Sequence, residues 1–156
     1  MLNFINFTQK RNVMGYFAEL IDKAALICVT KHQGQRDKAG AAYFQHPMRV
    51  AMKCDKDEEK IVALLHDTIE DTDVTPEWLK QQGFSNEIVE AILSVTRNPG
   101  EDYQEFVARA KKNPIGRIVK IHDLEDNLNV LRLREVTPQM AERLTKYLIA
   151  LEYLKN

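Results

Sequence analysis

Residues 61–72 read IVALLHDTIEDT, six apolar residues among which stand His66, Asp67, Glu70 and Asp71, with Asp73 just beyond. On a helix His66 and Glu70 are four apart and share a face, and Asp67 and Asp71 form the neighbouring strip. Leu64, Leu65 and Ile69 turn part of that helix toward a core. Carboxylates at a core boundary are costly unless paired or bound to a cation. A metal ion removes the cost: His66 and Asp67 can face one ion, with Glu70 and Asp71 one turn on, near its water. A His-Asp pair near a helix end is also a common solvated feature, so this stretch alone leaves both readings open.

Two other segments bear on the choice. YFQHPMRVA (43–51) places His46 before Pro47, at the mouth of a helix with apolar positions behind it. KIHDLEDNL (120–128) inserts Asp123 into a run with Ile118, Val119, Ile121, Leu124 and Leu128. Three helices thus each offer a His or Asp at or near an apolar face: His46, His66 with Asp67, and Asp123. Two imidazoles and two carboxylates make a mixed N/O donor set, suited to Mn²⁺, Fe²⁺ or Zn²⁺.

The elements that must position these groups are helical. Residues 13–32 carry Phe17, Leu20, Ile21, Ala24, Ala25 and Cys28 at helical spacing. Gly34 and Gly40 mark a loop over 34–43, and a short helix covers 47–54 with Pro47 in its first turn. A helix from an Asp57 cap runs through the opening stretch to 72. Thr75-Pro76 opens another, which Gly83 ends; Ser85 caps 86–96, and helices follow over 101–112 and 115–133. Thr137-Pro138 caps the last, to about 154. No segment alternates at period two, and there is no internal repeat or linker. The expectation is an all-α single domain, residues 1–156, of about seven or eight helices.

Bulk properties limit the function classes. With 44% apolar and 29% charged residues the chain reads as an ordinary soluble globular protein. A formal net charge of −1 gives no bulk argument for a nucleic-acid polymer or a membrane surface. Cys28 and Cys54 fit neither a CxxC site nor a disulfide framework and read as buried thiols. No signal peptide or membrane-length run is evident, so the expected location is cytoplasmic.

The order H…HD…D on helices resembles the HD superfamily of metal-dependent phosphohydrolases. More closely, KHQGQRDKAGAAYFQHPMRVA, ALLHDTIEDT and VKIHDLEDNL resemble the hydrolase domain of the RelA/SpoT-like proteins and the stand-alone small alarmone hydrolases, over about residues 14–155. The resemblance implies an HD helical bundle in which His46, His66, Asp67 and Asp123 ligate one ion, Mn²⁺ in this branch. It implies that Glu70 and Asp71 position and deprotonate the attacking water, and that Asn127 contacts substrate. The implied reaction removes the 3′-pyrophosphate from a guanosine tetra- or pentaphosphate, with nearby Lys or Arg holding the other phosphates. The implied partner is a small phosphorylated nucleotide, not a nucleic-acid polymer or a membrane, and a homodimer stays open. Nothing resembles the synthetase region of the long family members.

The chain departs from the pattern at Asp37, where the alarmone hydrolases carry a basic residue that packs on the nucleotide. Glu125 and Asp126 make the surroundings of Asn127 more acidic than usual, and His122 stands where Ala is usual. These differences fall on substrate-reading positions and leave the metal set intact. Two alternatives therefore stand beside alarmone hydrolysis: an HD hydrolase of another nucleotide, such as a nucleoside 5′-monophosphate, and a non-catalytic nucleotide-binding HD module. The Glu70-Asp71 pair argues against the module.

Several residues carry two readings. His32 bonds the loop that holds His46, or lies on the substrate side. Lys38 is a phosphate ligand or a solvated loop lysine. Arg97 reaches phosphates or caps its helix C-terminus. Tyr43 is expected to pack behind the site, His122 to be a non-ligand, and Arg132 and Arg134 to form a solvated face. Trp78 and the phenylalanines are expected in the core.

Overall fold

The computed structural model describes residues 3–156, with side chains from Gly15 onward. Among these residues nine α-helices follow one another: α1 (Asn3–Lys31), α2 (Gln45–Ala51), α3 (Asp57–Leu65), α4 (Thr68–Asp71), α5 (Pro76–Gln81), α6 (Asn86–Val95), α7 (Tyr103–Lys112), α8 (Pro114–Asn127) and α9 (Pro138–Lys155). A 3₁₀ turn, Val130–Arg132, separates α8 from α9, and an isolated bridge joins Arg36 to Ala42 across the loop between α1 and α2. The fold is all-α, as the periodicity predicts.

The helix starts follow from local side-chain chemistry. Thr75, Ser85 and Thr137 each accept a hydrogen bond from the backbone N–H three residues on, at Trp78, Ile88 and Met140. Asp102 and Asn113 cap α7 and α8 in the same way. For α3 the cap is Lys56 rather than the expected Asp57, and the buried Glu59 carboxylate accepts from the Lys56 N–H.

Helix α3 is the axis of the core, packed by α1, α2, α6 and α8. Ile61, Val62, Ala63 and Leu65 are wholly buried. Burial of each large side chain contributes about 1.5–3 kcal/mol, so α3 is pinned around its circumference. A second cluster of Val107, Leu124, Ala150 and Leu154 ties α9 to α7 and α8. Between α6 and α8 the approach is close enough that a Cβ on Gly116 would collide with Ser94 Oγ. That closeness sets α8, and with it Asp123, against the central helix.

Several expected helix bounds change, among them that of the short helix read over 47–54, which runs Gln45–Ala51. The helix read over 13–32 begins at Asn3. The helix read over 57–72 is broken at His66-Asp67, because side chains take the carbonyls that would carry it on: His66 Nδ1 bonds Ala63 O at 2.6 Å and Thr68 Oγ1 bonds Leu65 O at 2.7 Å. The helix read over 115–133 ends at Asn127, where Arg132 folds back onto the Asp126 carbonyl at 2.9 Å. Trp78 packs against the core, and Phe84 and Phe106 are buried, while Phe4 and Phe7 lie outside the described side chains. Residues 1 and 2 of the expected domain, and the side chain of Met14 at the start of its motif-bearing core, also lie outside the description. Cys28 and Cys54 are buried free thiols, and no described helix is long and apolar enough to cross a membrane.

Candidate functional site

The break between α3 and α4 turns His66 and Asp67 toward α2 and α8, which bring His46 and Asp123. Nε2 of His46 lies 3.1 Å from Asp123 Oδ1 and 3.7 Å from Asp67 Oδ2. Nε2 of His66 lies 3.1 Å from Asp67 Oδ2 and 3.8 Å from Asp123 Oδ1. Donor atoms of His46, His66 and Asp67 thus all lie within 4.8 Å of one another, and Asp123 Oδ1 approaches both imidazoles from the side of α8.

The outer atoms of these side chains are fixed. His46 Nδ1 bonds Asp126 Oδ2 at 2.7 Å, and His66 Nδ1 donates to Ala63 O, so both Nε2 atoms face inward. Tyr43 donates to Asp67 Oδ2 at 2.7 Å. Lys120 donates to Asp123 Oδ2 at 2.8 Å, leaving Oδ1 to the centre, where the Asn127 amide also reaches it. His66 Nε2 is buried and, although 3.1 Å from Asp67 Oδ2, makes no well-aligned hydrogen bond.

The electrostatics point the same way. Burial would lower the affinity of His46 for its proton, but bonds to Asp123 and Asp126 outweigh it and raise the net value. For His66, burial is likewise outweighed, by the charge of Asp67 and the Asp123 carboxylate. Against the penalty of burial, His66 holds Asp67 down at about 2, and Lys120 with the two imidazoles holds Asp123 well below the carboxylate range. Exchanging the two imidazole protons for one divalent cation conserves the charge of the cluster. Donor types, their closeness and the charge of the cluster therefore fit a divalent metal.

A cavity of about 500 Å³ opens from this centre. Glu70 and Asp71 line it; the Arg97 backbone N–H donates to Glu70 Oε2 at 3.0 Å. Burial and the charge of Asp67 raise the Asp71 carboxyl above its ordinary value. His66 and Glu70 do not share a face as a continuous helix would require: His66 is buried and Glu70 exposed. Lys38, Asn127 and Arg97 also line the cavity; the Arg97 guanidinium holds the Glu101 carbonyl at 2.6 Å rather than capping a helix. His32 is buried and bonds Gln35, whose amide donates to the Asp71 carbonyl, and His122 pairs with Glu125 outside the cluster.

Three sequence expectations are corrected. Asp126 does not acidify the surroundings of Asn127. It is buried, and it holds His46 while Arg49 grips both its oxygens at 2.8 and 2.9 Å. Arg132 is not part of a solvated face, because it pairs with Asp126 and with Asp37. Tyr43 lines the cavity rather than packing behind it. Sequence reasoning also passed over Arg49, Lys120, Arg143 and Lys146, the last two set on the cavity wall by α9. A signal for Asp126 exists: His46 and Arg49 on α2, and Asp123 and Asp126 on α8, are each one helical turn apart.

No family model matches the chain. It is 33% identical over 126 residues to a guanosine-3′,5′-bis(diphosphate) 3′-pyrophosphohydrolase of Aquifex aeolicus, an alignment covering 73% of this chain and 18% of that protein. A probable enzyme of the same name from Mycoplasma genitalium is 34% identical over 126 residues, covering 75% and 17%. The chain thus spans less than a fifth of the length of these curated relatives. Among solved structures it superposes on a metazoan ortholog of SpoT, described as hydrolysing ppGpp, with a TM-score of 0.72 at 21% identity, covering 86% of this chain and 84% of that one. The sequence likeness to the Aquifex and Mycoplasma proteins places the chain with the RelA/SpoT-like HD hydrolase domains, and the superposition shows the shared all-α fold.

Proposed function

We propose that the chain is a single HD domain that removes the 3′-pyrophosphate from a guanosine tetra- or pentaphosphate, with Mn²⁺ held by His46, His66, Asp67 and Asp123. The observation that carries this reading is the opening of the four-atom centre into a cavity that also holds Glu70, Asp71 and a set of cations. The names of the Aquifex and Mycoplasma relatives support the substrate.

The bound ion would supply Lewis-acid charge, acidifying water and neutralising phosphate oxygens. Glu70 and Asp71 orient the attacking water and accept its proton, and the raised Asp71 carboxyl suits that task. The water oxygen bonds to the phosphorus carried on O3′, the O3′–P bond breaks, and O3′ takes up a proton as pyrophosphate leaves. Arg36, Lys38, Arg143 and Lys146 hold the anionic ends of the substrate at the cavity wall. Asn127 keeps Asp123 in place and presents its amide to the substrate side.

The test is a hydrolysis screen with Mn²⁺ over guanosine 3′-pyrophosphates, other nucleotides and nucleoside 5′-monophosphates, with Asp67→Ala as control. Pyrophosphate released from the guanosine compounds, and lost in the variant, is the expected result. Asp67-dependent turnover of a different nucleotide alone would move the substrate. Metal binding without any turnover would leave a binding module.

A further inference from the structure

Asp37 has two separate jobs. Its Oδ1 accepts from Ala39 N and Ala41 N, both at 2.9 Å, and so knits the turn of the loop between α1 and α2. Its Oδ2 reaches out of the loop to Arg132 Nη1 at 3.1 Å, across 95 positions of sequence. The same guanidinium bonds the Asp126 side chain at 3.2 Å and its carbonyl at 2.9 Å, and Asp126 bonds the imidazole of His46. Arg36 and Lys38 flank Asp37 in the loop and line the cavity.

We propose that Asp37 is a positioning residue for the metal centre, acting on His46 through Arg132 and Asp126, so that loop position and metal affinity are linked. Each joint is short, and the Asp37 and Asp126 side chains are 11% and 4% exposed, which limits competition from water. Arg132 Nη2 bonds Asp126 Oδ2, the oxygen that also meets His46 Nδ1 and Arg49 Nη2, so holding Arg132 at Asp37 holds that oxygen toward the ring. Linkage is reciprocal: an ion on His46 Nε2 fixes the ring, hence Asp126, Arg132 and the loop with its two cations. Metal binding therefore prepares the cavity mouth for an anionic substrate. Asp37 lines the cavity but is not one of the four residues proposed to hold the ion.

This inference rests on reading the four-residue centre as a metal site, and the test separates the two. Mn²⁺ affinity is measured by titration calorimetry without substrate for the unaltered protein, Asp37→Asn, Asp37→Glu, Arg132→Gln and the Asp37→Asn/Arg132→Gln double variant. Asp67→Ala reports the metal site, and Gln33→Ala, exposed in the same loop and off the cavity wall, is a control. Arg132→Gln is expected to raise the Kd about tenfold, the lower end for residues that orient a ligand. Asp37→Asn, one joint further away, raises it about threefold alone and not at all on the Arg132→Gln background. Asp37→Glu keeps the carboxylate and stays near the unaltered value, as does Gln33→Ala. Asp37→Asn without effect, or with an equal effect on both backgrounds, overturns the coupling while the metal site stands. If the unaltered protein binds no Mn²⁺, or binds it undiminished in Asp67→Ala, the metal reading fails and takes this one with it. Melting temperatures of each variant, and recovery in Asp37→Glu, distinguish lost positioning from lost folding.

Discussion

The Asp126 carboxylate lies 2.7 Å from His46 Nδ1, on the side of the ring opposite the nitrogen that faces Asp67 and Asp123. It is the point at which two arginines and one imidazole meet a single buried carboxylate. Removing it leaves Arg49 and Arg132 beside each other without their shared anion and leaves the ring free to turn. Asp126→Ala is expected to weaken Mn²⁺ binding by about 10–100-fold and to lower the melting temperature. Asp126→Asn, which can still accept from Nδ1, falls between. Unchanged affinity in the alanine variant would show that His46 is oriented by packing alone.

Tyr43 performs a related task for Asp67. Its hydroxyl donates to Oδ2, the oxygen nearest both imidazoles. A hydrogen bond to a charged acceptor contributes about 1.5–3 kcal/mol. Tyr43→Phe is therefore expected to reduce Mn²⁺ affinity, with helix content unchanged by circular dichroism. A variant that binds Mn²⁺ as tightly as the unaltered protein would assign Tyr43 to the cavity wall alone.

The contact between α6 and α8 gives a stability prediction. At Gly116 the added methyl of alanine meets Ser94 Oγ, which is held by its bond to Ala91 O at 2.6 Å. Relief requires either breaking that bond or moving α8 outward. Overpacking of this kind costs about 1–3 kcal/mol. Gly116→Ala should melt earlier, and the double variant Gly116→Ala/Ser94→Ala should recover most of the loss. A double variant no more stable than the single would exclude this collision as the cause.

How much of this was legible in the sequence depends on the range of the interaction. His46, His66, Asp67 and Asp123 stood out because each interrupts an apolar helix face, a local contradiction that needs no knowledge of the fold. The caps at Thr75, Ser85 and Thr137 were legible for the same reason, since their bonds close within three residues. The break at His66-Asp67 was not, because no glycine or proline marks it; it depends on which carbonyls the His66 and Thr68 side chains reach. The roles of Asp37 and Arg132 were also hidden. Both looked like solvent-facing charges, or like departures from a pattern, until folding joined residues 95 positions apart.

Glu101 links stability to pH near the site. Arg109 grips both its oxygens, at 2.8 and 2.7 Å, and also holds the carbonyls of Leu93 and Thr96 at the end of α6. The bonds from Arg109 outweigh the opposing effect of desolvation and hold the Glu101 carboxyl at about 2, below its ordinary 4.5. A depressed carboxylate contributes stability that is full above the unfolded value and lost as pH falls through the folded one. Glu101→Gln should therefore melt below the unaltered protein at neutral pH, and the gap should close as pH falls from about 4.5 toward 2. A gap that stays constant over that range would exclude ionisation of Glu101 as its origin.

On the proposed reading, Glu70 and Asp71 decide whether the centre performs chemistry or only binds. They line the cavity beside the four-atom centre, and the backbone of Arg97 holds Glu70 in place. Neither oxygen pair joins the convergence of the two imidazoles with Asp67 and Asp123. Substituting them should then separate turnover from metal binding, which substituting a ligand cannot do. Glu70→Gln and Asp71→Asn keep size and hydrogen bonding but remove the proton acceptor. Each is expected to lower kcat by about 10²–10⁴-fold, the range for a positioned general base, with Mn²⁺ affinity unchanged. The measurement is steady-state hydrolysis of the substrate identified by the screen, alongside Mn²⁺ titration of the same preparations. Loss of metal in either variant would move that residue into the ligand set. Full activity in both would remove them from the reaction and leave proton acceptance to another group on the cavity wall.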